Sequence, residues 1–384
     1  MIAAKYTQGA GLEVGEAPVP AIGRDELLVR VEATSICGTD VKIVRRGHRK
    51  LRPGQTIILG HEFVGTVEEA GAEVPNFAVG TRVGVAPNIG CGHCEMCGRG
   101  LMNMCPDYSA FGIDRDGSHT EFIRIPAMAI AQNNVIPLSP EMSPLDAALA
   151  EPLSCVVNSI RVSRVEAGDV VLIYGAGPMG LLNLMLAVVS GAGRVLVVDL
   201  NEARLGKARS LGASDVFNPS QGSVKDWVAD QTHGRGANVV IAAVPARQVQ
   251  QEAVELLAPF GRLCLFAGLP NGEPAVEFNT NAIHYRSLIV TGMTGGAPHD
   301  YRAALKLIEA KRVDVRQVVS HILPLGKVGR AYELALSGQG MKILLAAEKW
   351  INAAGIKAGA QATGAGARVE GRPLRQAKMN GVPA

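Results

Sequence analysis

Apolar and polar positions alternate in short runs through roughly the first 150 residues, with glycine and proline between the runs. Glu26–Glu32, Gly65–Glu69 and Thr81–Val85 carry the period of two that sends successive side chains to opposite faces. They predict strands of an antiparallel, barrel-like β domain. The texture changes at Glu166. Apolar runs at Val170–Tyr174, Arg194–Val198, Val239–Val244 and Leu263–Ala267 alternate with helical stretches over 178–190, 202–211 and 247–258. Strands without a polar face, separated by helices, are the pattern of βαβ units in a parallel sheet. The run Ser287–Gly292 is followed by a helix over Asp300–Ala310, a strand, and a helix over Val328–Ser337, expected to return to the first domain. From about Trp350 the chain is Ala/Gly-rich and basic with few large apolar residues, which predicts disorder. The expected division is a β domain over 1–153 completed by 286–349, an α/β domain over 154–285, and a disordered tail over 350–384.

Composition supports packed domains, since 47% of the 384 residues are apolar and 19% charged. The net charge is +3, yet residues 351–384 hold Lys357, Arg368, Arg372, Arg375 and Lys378 against Glu370 alone, leaving the other 350 residues at −1. A nucleic-acid binder places its positive charge on the folded body, so no nucleic-acid partner is expected. The longest apolar run, Leu181 to Val189, is broken by Asn183 and falls far short of a span of ~20 residues. The start, MIAAKYTQGAG, lacks the apolar core of a signal peptide. Seven cysteines cannot all pair, and five lie in metal-ligand spacings, which suits a reducing compartment. The expectation is a soluble, cytoplasmic protein without a membrane partner.

Three constellations carry chemistry. Cys91-Gly-His-Cys94-Glu-Met-Cys97 followed by Cys105 offers four thiolates within fifteen residues. This matches the closed tetrahedral site of structural zinc; a redox Cys-x-x-Cys would leave two cysteines unexplained. His93 inside the loop reads as a bystander. The second set is dispersed. Cys37-Gly-Thr39-Asp40 is followed by Gly60-His61-Glu62 and much later by Glu151-Pro-Leu. A thiolate, an imidazole and a carboxylate are what catalytic zinc uses when one position stays open. Taken alone the set is weak, and its companions give it weight. The third feature is the apolar strand Val170–Tyr174 running into Gly175-Ala-Gly177-Pro-Met-Gly180 and a helix. A second strand ends at Asp199, 19 residues past Gly180. This is the full dinucleotide fingerprint of a Rossmann unit: glycines permit the turn and close approach, the helix N-terminus receives the pyrophosphate, and the acid holds the ribose hydroxyls. An acid at 199 repels a 2′-phosphate, favouring NAD over NADP. Cys155 and Cys264 sit among apolar residues and read as core.

Together these features resemble the zinc-dependent medium-chain alcohol dehydrogenase family over residues 1–349. The combination of Cys-Gly-Thr-Asp, Gly-His-Glu and Glu-Pro-Leu is most similar to the sorbitol (L-iditol) dehydrogenase branch. Gly112–Gly117 is also similar to threonine 3-dehydrogenase, which usually has aspartate where Glu151 stands. The resemblance implies an α/β protein with a GroES-like β-barrel catalytic domain and a doubly wound Rossmann domain, assembled as a homo-oligomer, dimer or tetramer. It implies Cys37 and His61 as ligands of catalytic zinc, with Glu62 and Glu151 both candidate carboxylates, and a second, structural zinc on Cys91, Cys94, Cys97 and Cys105. Thr39 matches the hydroxyl that relays the substrate proton; Asp199 and Arg204 match the pair that grips the adenosine ribose. One position departs. The residue five after the ligand cysteine is commonly a histidine ending the relay, and here it is Lys42. The relay then ends at solvent, or Lys42 is depressed by burial, or it binds substrate. The run Arg45-Arg46-Gly-His48-Arg49-Lys50-Leu-Arg52 reads as a solvated loop or as a basic rim that attracts an anionic substrate.

The expected reaction is zinc-assisted, NAD-dependent oxidation of a secondary alcohol of a polyol to the ketose, reversible, with zinc as Lewis acid and Thr39 carrying the proton. L-Threonine or a polyol phosphate is the alternative substrate. A zinc ribbon in a nucleic-acid-binding protein conflicts with the near-neutral body, and a catalytically silent relative conflicts with intact Cys37, His61 and Thr39.

Overall fold

The computed structural model describes residues 1–270 and 272–356. A seven-stranded sheet runs Val135–Pro137, Arg82–Val85, Glu62–Ala70, Leu27–Ile36, Lys342–Ala346, Val319–Pro324, with Phe122–Ile125 also paired to Leu27–Ile36. Leu27–Ile36 is its central strand. Nine of its ten residues are buried, so it outgrows the alternating stretch read from Glu26 to Glu32: its continuation, Ala33 to Ile36, is enclosed on both faces. Irregularities at Leu28/Val29 and Val31/Ala33 bend it, as bulges do. A hairpin of Ile2–Thr7 and Gly11–Glu16, joined by Thr56–Ile58, accompanies this sheet. The strands of residues 319–324 and 342–346 complete it from the far end of the chain.

The second sheet has six parallel strands in the order Asp215–Phe217, Arg194–Val198, Val170–Tyr174, Ala237–Ala242, Leu257–Leu265, Ile289–Gly292. The first strand in sequence lies in the middle, and the order reverses between it and Ala237–Ala242. That reversal is the switch point of a doubly wound fold, where the crevice for a ligand opens beyond the strand ends. The helix Pro178–Val189 is buried over most of its length, in keeping with its uniformly apolar sequence.

The structure moves several expected boundaries. Ile289–Gly292 pairs with Arg262–Leu265, so these residues close the parallel sheet rather than return to the first domain at 286. The helix expected over 247–258 stops at Glu252, because Leu257 already pairs with Ala237 and an irregularity follows, with Phe260 at a positive φ of 58°. At the far end, Glu348–Ala353 is a helix, so the disorder expected from 350 does not hold over these residues. Ile351 is buried and the Trp350 indole donates to Glu32 at 2.6 Å; two large side chains suffice to dock one turn of chain. The rest of that expectation, 357–384, lies outside the described residues.

The helix Ala150–Val162 crosses the expected boundary at 153. It packs against both Pro178–Val189 and Pro298–Glu309, and its Leu153 and Val156 join Val171, Ile173 and Leu181 in one apolar cluster. Among the described residues no helix is long and apolar enough to cross a membrane.

Candidate active site and metal centres

Three segments converge at the first site. Cys37 follows the central strand and caps the helix Gly38–Arg46: its Sγ accepts from Thr39 N–H at 3.4 Å, and Asp40 reaches back to Cys37 N–H at 2.8 Å. Strand pairing sets Ser35 opposite Glu62, which brings His61 and Glu62 beside Cys37. Gly60, at φ +97°, is required there, since a Cβ would stand 2.4 Å from the His119 ring. Glu151 enters in the first turn of the helix Ala150–Val162.

One ligand atom each from Cys37, His61 and Glu62 lie within 4.8 Å of one another. Glu151 stands outside this group but faces it: burial raises its carboxyl to about 7, against the pull of His61. Cys155, one turn on, donates to Glu151 at 3.5 Å. It is therefore a neighbour of the site, not the core residue expected; Cys264 is fully buried, beside Ser159.

The electrostatics of the pocket ask for a cation. Among the described residues, Cys37, Asp40, Glu62 and Glu151 stand close to His61, and Lys342 faces Glu62 and Glu151. Burial alone would lower His61, yet Cys37 and Asp40 hold it well above the ordinary histidine value. Asp40 is fully buried, and its Oδ1, 3.5 Å from His61 Nδ1, has no hydrogen-bond partner. A carboxylate behind a histidine is the arrangement that orients metal-ligating imidazoles. The donor set of soft thiolate, imidazole and carboxylate suits zinc.

Two residues of this network have no role in the sequence reading: Asp40 and Lys342. The buried Lys342 ammonium lies 2.5 Å from the Glu62 carboxylate, which the Ser35 hydroxyl also engages. Burial lowers Lys342, and the charges of Glu62 and Cys37 together with the Glu62 hydrogen bond raise it above the ordinary lysine value. The signal was present: one lysine at the head of the apolar strand Lys342–Ala346.

At the second site the four cysteine sulfurs lie within 4.8 Å of one another, with Cys91–Cys97 at 4.0 Å and Cys94–Cys105 at 3.7 Å. Zn–S bonds of ~2.3 Å in a tetrahedron give S···S edges of about 3.8 Å, whereas a disulfide needs ~2.05 Å. Backbone N–H groups of Cys91, Gly92 and Cys97 donate to these sulfurs at 3.3–3.4 Å, and the His93 N–H draws Cys91 down to about 6. The His93 ring turns away to the Cys91 carbonyl.

The third site is the loop after Val170–Tyr174. Gly175 has φ +101°, and a Cβ on Gly180 would lie 1.8 Å from the Gly175 carbonyl, so helix and strand meet only without side chains. Open space lies over Gly177, which caps Pro178–Val189 without a side-chain partner. Free N–H groups at a helix start are an anion site. Asp199 accepts from Ala176 N–H at 2.7 Å and Asn201 N–H at 2.8 Å. Arg204 lies half-buried in the following helix.

The basic stretch is partly structural. Arg45 donates to the Leu336 carbonyl at 2.7 Å, and Lys50 pairs with Asp114 at 3.3 Å over the Tyr108 ring. Lys42 is exposed, so the burial expected as one option for it is not found.

The profile of the alcohol dehydrogenase GroES-like domain matches residues 23–137 and that of the zinc-binding dehydrogenase matches 178–310. L-Threonine 3-dehydrogenase of Pyrococcus furiosus is 34% identical over 87% of this chain and 94% of its own. The chain belongs to the zinc-dependent medium-chain alcohol dehydrogenase family. Within the family, sorbitol dehydrogenase of Halalkalibacterium halodurans is 30% identical over 89% of this chain and 97% of its own. The crystal structure of a zinc-binding dehydrogenase from Sinorhizobium meliloti 1021, bound to NADP, superposes with a TM-score of 0.82 at 30% identity, covering 90% of this chain and 98% of that one. The fold is accordingly GroES-like plus Rossmann, and the protein is a zinc- and nicotinamide-dependent oxidoreductase acting on a small-molecule alcohol.

Proposed function

We propose that this enzyme uses NAD to oxidise a secondary alcohol flanked by a second polar carbon, a polyol first of all, to the ketone, and runs the reaction in reverse when NADH is in excess. The observation that carries the reading is the convergence of Cys37, His61 and Glu62, buried or half-buried, beside the half-buried Thr39. Zinc held by these three residues would supply Lewis acidity toward an alcohol. Glu62 completes the set in preference to Glu151, which lies farther off. Asp40 orients His61, and Lys342 steadies Glu62. Thr39 takes the alcohol's proton and passes it to solvent. Gly175, Gly177 and Gly180 cradle the pyrophosphate, and Asp199 with Arg204 holds the adenosine ribose; the fixed charge of Asp199 favours NAD over NADP. The four-cysteine loop is a closed structural zinc site.

The polyol reading rests on Glu151 and the three motifs of the site. L-Threonine is a second reading, favoured by the P. furiosus relative. Both substrates carry a heteroatom next to the reacting carbon. The test follows NADH absorbance with neutral polyols, their phosphates and L-threonine. Turnover of a polyol at least tenfold above L-threonine supports the first reading; the reverse ranking replaces it with the second, and no turnover of any secondary alcohol refutes both. A homo-oligomer is supported by the outer edge of Ile289–Gly292, flanked by exposed Phe260 and Tyr285, and sedimentation would measure its size. Cysteines free in every case fit a cytoplasmic setting.

A further inference from the structure

The segment that leaves the last strand of the parallel sheet is held in an unusual way. Between Ile289–Gly292 and the helix Pro298–Glu309 the chain runs Met293-Thr-Gly-Gly-Ala297. Three successive carbonyls of this stretch each accept from a different asparagine amide. Thr294 O takes Asn103 Nδ2 at 2.8 Å, Gly295 O takes Asn158 Nδ2 at 2.8 Å, and Gly296 O takes Asn88 Nδ2 at 3.0 Å. The buried Asp300 then fixes Ala297 N–H at 3.0 Å. The glycines permit the close approach: Gly295 has φ +56° with a Cβ position 3.0 Å from the Asn88 amide, and a Cβ on Gly296 would fall 2.5 Å from Ser154 Oγ.

The three donors come from three places. Asn158 is on the helix that carries Glu151. Asn88 is in the short strand just before Cys91. Asn103, buried, lies in the turn Met102–Met104 that ends at Cys105. Closing the four-cysteine cluster fixes that turn, and the turn fixes Thr294. Thr294 lies at the carboxyl end of the sixth strand, in the half of a doubly wound sheet that faces the second nucleotide of a dinucleotide. Nothing in the reaction itself uses the four-cysteine site, and this chain of contacts gives it a task.

We propose that Asn103 is a positioning residue that couples the four-cysteine loop to Met293–Ala297 and so to the nicotinamide half of the cofactor crevice. The inference rests on the dinucleotide-binding reading above. Losing one well-placed hydrogen bond on a loop that must be ordered for binding should weaken NADH about fivefold to tenfold.

The experiment compares wild type with Asn103→Leu, close in size but without a donor, and with Asn88→Leu, which frees the Gly296 carbonyl from outside the cysteine loop. Zinc content, the NADH dissociation constant by fluorescence, KM for NAD, kcat, and hydrogen–deuterium exchange of the peptide over 289–300 are measured on each. The expected result for Asn103→Leu is unchanged zinc, faster exchange in that peptide, NADH binding and KM for NAD five- to tenfold weaker, and kcat at saturating NAD within twofold. A merely structural defect would lower the active fraction, hence kcat, and leave KM alone. Unchanged NADH binding with zinc retained overturns the proposal. If Asn103→Leu sheds zinc or fails to fold, Asn103→Ala decides: weaker NADH binding with zinc retained sustains the coupling, unchanged binding overturns it. If wild type itself binds no dinucleotide, the underlying reading fails, and exchange over 289–300 alone then decides the coupling.

Discussion

Replacing Asp199 by alanine should change the choice of cofactor, and the structure sets the size of the change. The Asp199 carboxylate sits at the end of Arg194–Val198 with Oδ2 2.7 Å from Ala176 N–H and Oδ1 2.8 Å from Asn201 N–H. Those two bonds hold the charge where the ribose hydroxyls of NAD would arrive. A hydrogen bond to a charged group contributes about 1.5–3 kcal/mol, so losing the ribose bond should weaken NAD roughly tenfold to hundredfold. The 2′-phosphate of NADP loses a repulsive neighbour at the same time. The ratio of kcat/KM for NAD to that for NADP should therefore fall by at least tenfold. The assay is initial rates with each cofactor on the best alcohol, at fixed ionic strength because charge interactions are screened by salt. The Ala176 and Asn201 contacts are lost too, so the melting temperature should fall and must be recorded beside the rates. A wild type that already prefers NADP refutes the reasoning. So does a variant whose melting temperature drops while its cofactor ratio stays within twofold, since Asp199 would then serve only the loop.

Lys342→Met strands the buried Glu62 carboxylate. Breaking a buried pair from one side costs about 3–5 kcal/mol, so the variant should melt several degrees lower; an unchanged melting curve contradicts the pair's role. Gly180→Ala drives a Cβ to within 1.8 Å of the Gly175 carbonyl and should weaken NADH binding more than tenfold in a fluorescence titration; near-normal binding would mean the loop does not carry the pyrophosphate. For a neutral polyol, kcat/KM should be flat between low and high salt in wild type and in Lys42→Ala. A steep fall with salt, together with preference for the polyol phosphate, would instead make the basic stretch a capture surface.

Most of the architecture was legible because its signals are local. Val170–Tyr174 and Arg194–Val198 match the expected strands to the residue, since an apolar run between a glycine turn and a helix has few other uses. The four cysteines are legible for the same reason, being close in sequence. What escaped was set by distant partners. Leu257 and Ile289–Gly292 were misplaced because each is placed by pairing with the preceding strand, Leu257 with Ala237 and Ile289 with Arg262, which no local period shows. The helix at Glu348–Ala353 was missed because Trp350 and Ile351 dock on a surface built around Glu32. Candidate ligands on separate segments, Cys37, His61, Glu62 and Glu151, could be named but not ranked: the distance between carboxylates and metal partners is a property of strand pairing, here Ser35 against Glu62. Lys342 lies 280 residues from Glu62, and no spacing rule reaches that far.

On the proposed function, two zinc sites with different duties share this chain, and the one built on Cys37 is where the alcohol reacts. Zinc per chain in wild type and in Cys37→Ser, measured by elemental analysis beside NADH production, tests it most directly. Two zincs are expected in wild type and about one in Cys37→Ser, with the circular dichroism spectrum retained and turnover lost. A Cys37→Ser protein that keeps both zincs and full turnover would contradict it.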